Sequence, residues 1–98
     1  MNLGHFQQYV REFCKEKGFE DVTDEQRYLY LMSEVGEVSD ALLKLQFAGE
    51  DKKTDIRDNL GHELFDVIWN AVEIANRHDI DLTKSFEEKM KINHGREW

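Results

Sequence analysis

The stretch TDEQRYLYLMSEVGEVSDALLKLQF, residues 23–47, decides the fold. It opens with Thr23 and, three residues on, Gln26. That is the spacing of a capping box, in which each side chain satisfies a backbone N–H that a helix start leaves unpaired. Tyr28, Leu31, Met32, Val35, Val38, Leu42 and Leu45 then recur at intervals of three and four and fall on one arc of a helix. The chain contains no proline, so nothing interrupts such a helix by steric clash or loss of a donor.

Working outward, the same periodicity predicts a preceding helix over about Gly4–Lys17, with Phe6, Tyr9, Val10, Phe13 and Cys14 on one face and Gly18 as its stop. The polar run from Ala48 to Thr54 reads as a loop. A third helix is predicted over about Asp55–Arg77, burying Leu60, Leu64, Val67, Ile68, Ala71, Ile74 and Ala75. After a short connection from His78 to Asp81, Asp81 or Thr83 can cap a fourth helix running to about Asn93. No strand-like alternation competes. The expected fold class is all-α, a four-helix, bundle-type architecture over one domain, residues 1–98.

A chain of 98 residues buries only about 60–65% of its unfolded surface, so its core is modest and oligomerisation is a natural way to complete it. One cysteine makes no internal disulfide and excludes a cysteine-based zinc finger. Hydrophobic residues at 40% are too many for a disordered chain, yet no apolar run reaches the roughly 18 residues of a membrane span. The start MNLGHFQQ has no basic region followed by an apolar one, so the expected setting is cytoplasmic. Thirteen Lys and Arg against 21 Asp and Glu give a net charge of −8. Such a balance opposes binding to a nucleic acid polymer or an anionic membrane, but not to a small phosphate ligand bridged by divalent cations.

Four acids stand out. Glu34 and Glu37 are three apart on the second helix, and Glu63 and Asp66 repeat the spacing on the third, each pair at one edge of its apolar arc. Antiparallel packing of the two helices can bring the pairs together, with Asn70, four residues after Asp66, on the same edge. Carboxylates gathered in this way raise one another's pKa and call for counter-ions; hard oxygen ligands suit Mg²⁺, Mn²⁺ or Ca²⁺. A single such pair is the ordinary pattern of a solvated helix face. Two pairs, both flanking apolar stripes and joined by one loop, are less easily dismissed. A ferritin-like redox centre is disfavoured, because Glu37 and Asp66 stand where its Glu-x-x-His pairs need histidine.

This arrangement resembles a known family. Ser33-Glu34-Val35-Gly36-Glu37-Val38, followed by Glu63-Leu64-Phe65-Asp66-Val67, is similar to the paired-acid signature of the MazG-type all-α nucleoside triphosphate pyrophosphohydrolases. The closing Lys89, Asn93 and Arg96 resemble the family's C-terminal segment, and the similarity runs from about the first helix to Trp98. The resemblance implies hydrolysis of a (d)NTP between its α and β phosphates to the monophosphate and pyrophosphate, in the service of nucleotide-pool control. It implies Mg²⁺, with Mn²⁺ a substitute, held by Glu34, Glu37, Glu63 and Asp66, which are also the catalytic residues, and triphosphate contacts from Lys89, Asn93 and Arg96. It further implies a homodimer or a dimer-of-dimers tetramer. Many relatives carry a further Glu where Ser33 stands here, and others an aromatic at Asn70.

Trp69, three past Asp66, reads first as a packing residue and second as a platform for a base. Phe6, Tyr9 and Phe13 read as core, Cys14 as a small core residue, and His5 and His94 as surface. A different class of function is also compatible with the pattern: a non-catalytic acidic helical module that binds a protein partner.

Overall fold

Each helix begins and ends where a local hydrogen-bond requirement is met. In the computed structural model, which describes residues 2–97, α1 spans Leu3–Lys17, and Asn2 caps it by accepting the His5 N–H at 2.9 Å. It stops at Gly18, whose φ of 74° is the left-handed conformation that lets its N–H turn back onto the Cys14 and Lys15 carbonyls. After a 3₁₀ turn over Phe19–Asp21, α2 spans Asp24–Phe47. Its start is the full capping box: Thr23 Oγ1 accepts from Gln26 N at 3.1 Å, and Gln26 Oε1 from Thr23 N at 2.9 Å.

The third helix is longer than its periodicity indicates. α3 spans Glu50–Arg77, so the predicted loop shrinks to Ala48 and Gly49. Glu50 and Asp51 place negative charge at the positive end of the helix dipole, and Lys53 Nζ meets Glu50 Oε1 at 2.8 Å. This first turn is held by exposed polar groups, which leave no apolar pattern to read. α3 ends in a Schellman arrangement: Ile80 N donates to Ala75 O at 2.9 Å and Asp79 N to Asn76 O at 3.2 Å. Asp79 takes the left-handed position usually given to glycine, with φ of 53°. α4 spans Leu82–His94 and is capped by Asp81, whose Oδ1 accepts from Thr83 N and Lys84 N. The fold is all-α, with four α-helices and no strand among the described residues.

The chain divides into two compact units. One comprises Met1–Asp21 with Val72–Trp98, and its core holds Val10, Cys14, Val72 and Ala75. Gln7 on α1, itself buried, knits this unit together. Its Nε2 donates to Asn76 Oδ1 at 3.0 Å and to Ile80 O at 2.8 Å, while its Oε1 accepts from Leu82 N at 2.9 Å. Asn76 Nδ2 returns a bond to Gln7 O at 2.9 Å. One amide therefore joins α1 to the end of α3 and the start of α4. Nearby, Arg77 Nε pairs with the buried Glu73 at 2.7 Å, and its Nη2 donates to Phe19 O. Phe13 stacks against Tyr9 and tilts against Phe19, but Tyr9 remains exposed, contrary to the expected aromatic core stripe.

The other unit, Val22–Ala71, is a hairpin of α2 and α3. Here the expected arcs are corrected. On α2, Leu31, Val38, Ala41 and Leu45 are wholly or partly buried, together with Arg27 and Glu34. Tyr28, Met32, Val35 and Leu42 are exposed. On α3, Leu60, Glu63, Val67 and Asn70 are covered, while Leu64 and Ile68 are exposed. The apolar arcs are wider than one neighbouring helix can cover, and the covered strip lies to the side that carries Arg27, Glu34, Glu63 and Asn70.

Replacing Gln7 with Leu is expected to destabilise the chain by about 2 kcal/mol, since it removes the side-chain partners of the Leu82 N–H and the Ile80 carbonyl. Urea unfolding followed by circular dichroism checks this.

Candidate metal centre on the helix hairpin

The two-residue Ala48–Gly49 connection makes α2 and α3 antiparallel, and residues equally far from it face each other. Arg27 and Asn70 form one such pair, Glu34 and Glu63 another. Carboxylate oxygens of Glu34, Glu63 and Asp66 all lie within 4.8 Å of one another, with Glu34 and Glu63 half-buried and Asp66 exposed. Glu37 stands outside this group and is exposed. At three residues from Glu34 it is rotated about 60° around the helix, away from the covered strip.

Bringing these acids together has an electrostatic consequence. The Glu34 carboxyl is raised above its ordinary value of 4.5, first by burial, then by the charges of Asp66, Glu63 and Glu37, and finally by a hydrogen bond shared with Glu63. The affinity of Glu34 for a proton is therefore increased. Hard oxygen donors this close together could hold a divalent cation such as Mg²⁺ or Mn²⁺, which would compete with the proton.

Asn70 is buried beside the acids, and both ends of its amide are engaged. Its Oδ1 accepts from Arg27 Nη1 at 3.1 Å, and its Nδ2 donates to the Asp66 carbonyl at 2.8 Å. Trp69 is half-buried, with the Arg27 guanidinium carbon 5.5 Å from its ring centre. Lys89, Asn93 and Arg96 belong to the other compact unit. Lys89 and Asn93 share a face of α4, the former exposed. Asn93 Oδ1 is buried with no hydrogen-bond partner among the described residues, and Arg96 follows the helix with its N–H bonded to Asn93 O at 3.2 Å.

Arg27 is the residue that periodicity and motif reading missed. A signal was present: it precedes Glu34 by seven residues, two turns along one face, just as Asn70 follows Glu63 by seven. Arginine is so often a surface residue that this spacing draws no attention without knowledge of the partner.

Among the described residues no helix is long and apolar enough to cross a membrane. A search of curated proteins finds no match to this chain. The model of the MazG nucleotide pyrophosphohydrolase domain, by contrast, matches residues 22–97, from the turn before α2 through α4 to the penultimate residue. The match takes in both acid pairs and the Lys89, Asn93 and Arg96 segment, and the chain belongs to the MazG nucleotide pyrophosphohydrolase family.

Proposed function

We propose that the chain is a Mg²⁺-dependent nucleoside triphosphate pyrophosphohydrolase, which cleaves a (d)NTP between the α and β phosphates to yield the monophosphate and pyrophosphate. The observation that carries this reading is the convergence of Glu34, Glu63 and Asp66 within 4.8 Å on a family hairpin. A site this acidic, in a chain of net charge −8, repels a polyphosphate unless cations intervene. Mg²⁺, or Mn²⁺ in its place, supplies Lewis-acid polarisation of the phosphates and lowers the pKa of a bound water.

The protein's own groups supply the rest. Glu34, Glu63 and Asp66 hold the cation, and Glu37, one turn along α2, completes the set by reorienting its exposed side chain. One of these carboxylates orients or deprotonates the attacking water. Lys89 and Arg96 bring positive charge, and Asn93 an amide N–H donor, for the triphosphate. Trp69 and Asn70 flank the acids and take part in substrate contact. The reading treats residues 1–98 as one functional domain, set in the cytoplasm where free nucleotides are held. The exposed Tyr28, Met32, Val35 and Leu42 of α2 and Leu64 and Ile68 of α3 support a homodimer or dimer-of-dimers whose interface completes the core.

On adding a panel of (d)NTPs with Mg²⁺ to a dialysed sample, pyrophosphate is expected to be released. Glu37→Gln and Glu63→Gln are each expected to lower kcat/KM by more than the roughly 100-fold that loss of an outer-shell partner costs. Release with no nucleotide at any Mg²⁺ or Mn²⁺ concentration would replace this reading with the non-catalytic interaction module.

The protonation state of Glu34 makes a separate prediction. A carboxyl whose folded value is raised stabilises the native state through its proton. That contribution is fully present below the unfolded value near 4.5 and is lost as pH rises through the folded value. Without metal, thermal stability should therefore fall from mildly acidic to neutral pH, and Mg²⁺ should restore it more at neutral than at acidic pH. Glu34→Gln should show neither this loss nor the full restoration in thermal melts.

A further inference from the structure

The hairpin carries a cation deep in its covered strip. Arg27 is only 6% exposed, in a position where a Leu or Met would satisfy the helical pattern at a smaller desolvation penalty. Its Nη1 donates to Asn70 Oδ1 across the helix pair at 3.1 Å, and its guanidinium carbon lies 5.5 Å from the ring centres of both Tyr30 and Trp69. Asn70 is likewise buried and passes the constraint on, its Nδ2 holding the Asp66 carbonyl at 2.8 Å. We infer that Arg27 is a positioning residue for the carboxylate site, a planar clamp that sets the register of α2 against α3 and hence the distance of Glu34 from Glu63 and Asp66.

The geometry favours register over bulk packing. Apolar contacts between the two helices are non-directional and survive a small slide or rotation. A guanidinium bonded through Nη1 to a buried amide and close to two aromatic rings is directional and tolerates neither. One residue of slip moves a side chain by about 1.5 Å along the axis and turns it by about 100°. That would remove Glu34 from the other two acids. Arg27 lies two turns before Glu34 and Asn70 two turns after Glu63, so the clamp and the acids sit on the same strip at matched separations. Mutual repulsion of the carboxylates pushes the helices apart at one level, and the clamp holds them together about 10 Å away.

This inference rests on the proposed metal site, and the experiment separates the two. Mn²⁺ alone is titrated into the full chain while the electron paramagnetic resonance signal of the free ion is followed, with circular dichroism and thermal melts in parallel. The unaltered chain is expected to bind Mn²⁺. Arg27→Met, which keeps length and apolar packing, is expected to retain its helicity and to bind Mn²⁺ roughly tenfold more weakly or worse. The double variant Arg27→Met/Asn70→Leu removes both partners, avoids a stranded polar group and keeps the test open if the single variant unfolds. It too is expected to fold and to bind weakly. A merely structural Arg27 would lower the melting temperature and leave the affinity of the folded protein unchanged. Folded variants that bind Mn²⁺ as tightly as the unaltered chain overturn the inference and leave the metal site standing. If the unaltered chain binds no Mn²⁺, the metal site falls and the inference with it.

Discussion

Three carboxylates with oxygens inside a 4.8 Å span repel one another, and the half-buried position of two of them strengthens that repulsion by removing screening water. The α2–α3 hairpin brings the acids together by fixing where their backbones lie. A two-residue connection dictates antiparallel pairing, and the covered strip fixes the backbone positions from which the acids project. The raised proton affinity of Glu34 is the mark of this constraint. Under the proposed function, a divalent ion would relieve the same repulsion that the proton relieves.

The hairpin is polar where a helix pair is ordinarily apolar. Arg27, Glu34, Glu63 and Asn70 occupy covered or half-covered positions, while Tyr28, Met32, Val35, Leu42, Leu64 and Ile68 remain exposed. Burial of polar groups in this way weakens an isolated pair of helices, since each group needs a partner of good geometry. The exposed apolar side chains retain the capacity to bury surface elsewhere. The covered polar strip and the exposed apolar strip are neighbours on the same two helices, rotated from one another by about a quarter-turn.

In the other unit a single neutral side chain has the connecting role. Gln7 reaches both the end of α3 and the start of α4, and the intervening turn depends on Asp79 in a conformation that most residues avoid. The turn is irregular, yet the His78, Asp79 and Ile80 N–H groups all return to carbonyls of the last helical turn, which would otherwise be left unpaired.

Much of this was legible in the residue order. The capping box at Thr23, the stop at Gly18, the cap at Asp81 and the four helices all depend on interactions within a few residues, so their chemistry is written locally. The acid pairs were legible too, because spacing of three on two helices needs no knowledge of packing. The start of α3 was not, since Glu50–Lys53 is held by charge and dipole effects rather than by an apolar pattern. Which side of each apolar arc is covered, the separation of Glu37 from the other acids, and the burial of Arg27 belong to the tertiary structure alone. Helical periodicity specifies which residues share a face. Only the packed partner determines the angle at which that face is presented, and a rotation of a fraction of a turn decides which carboxylates meet.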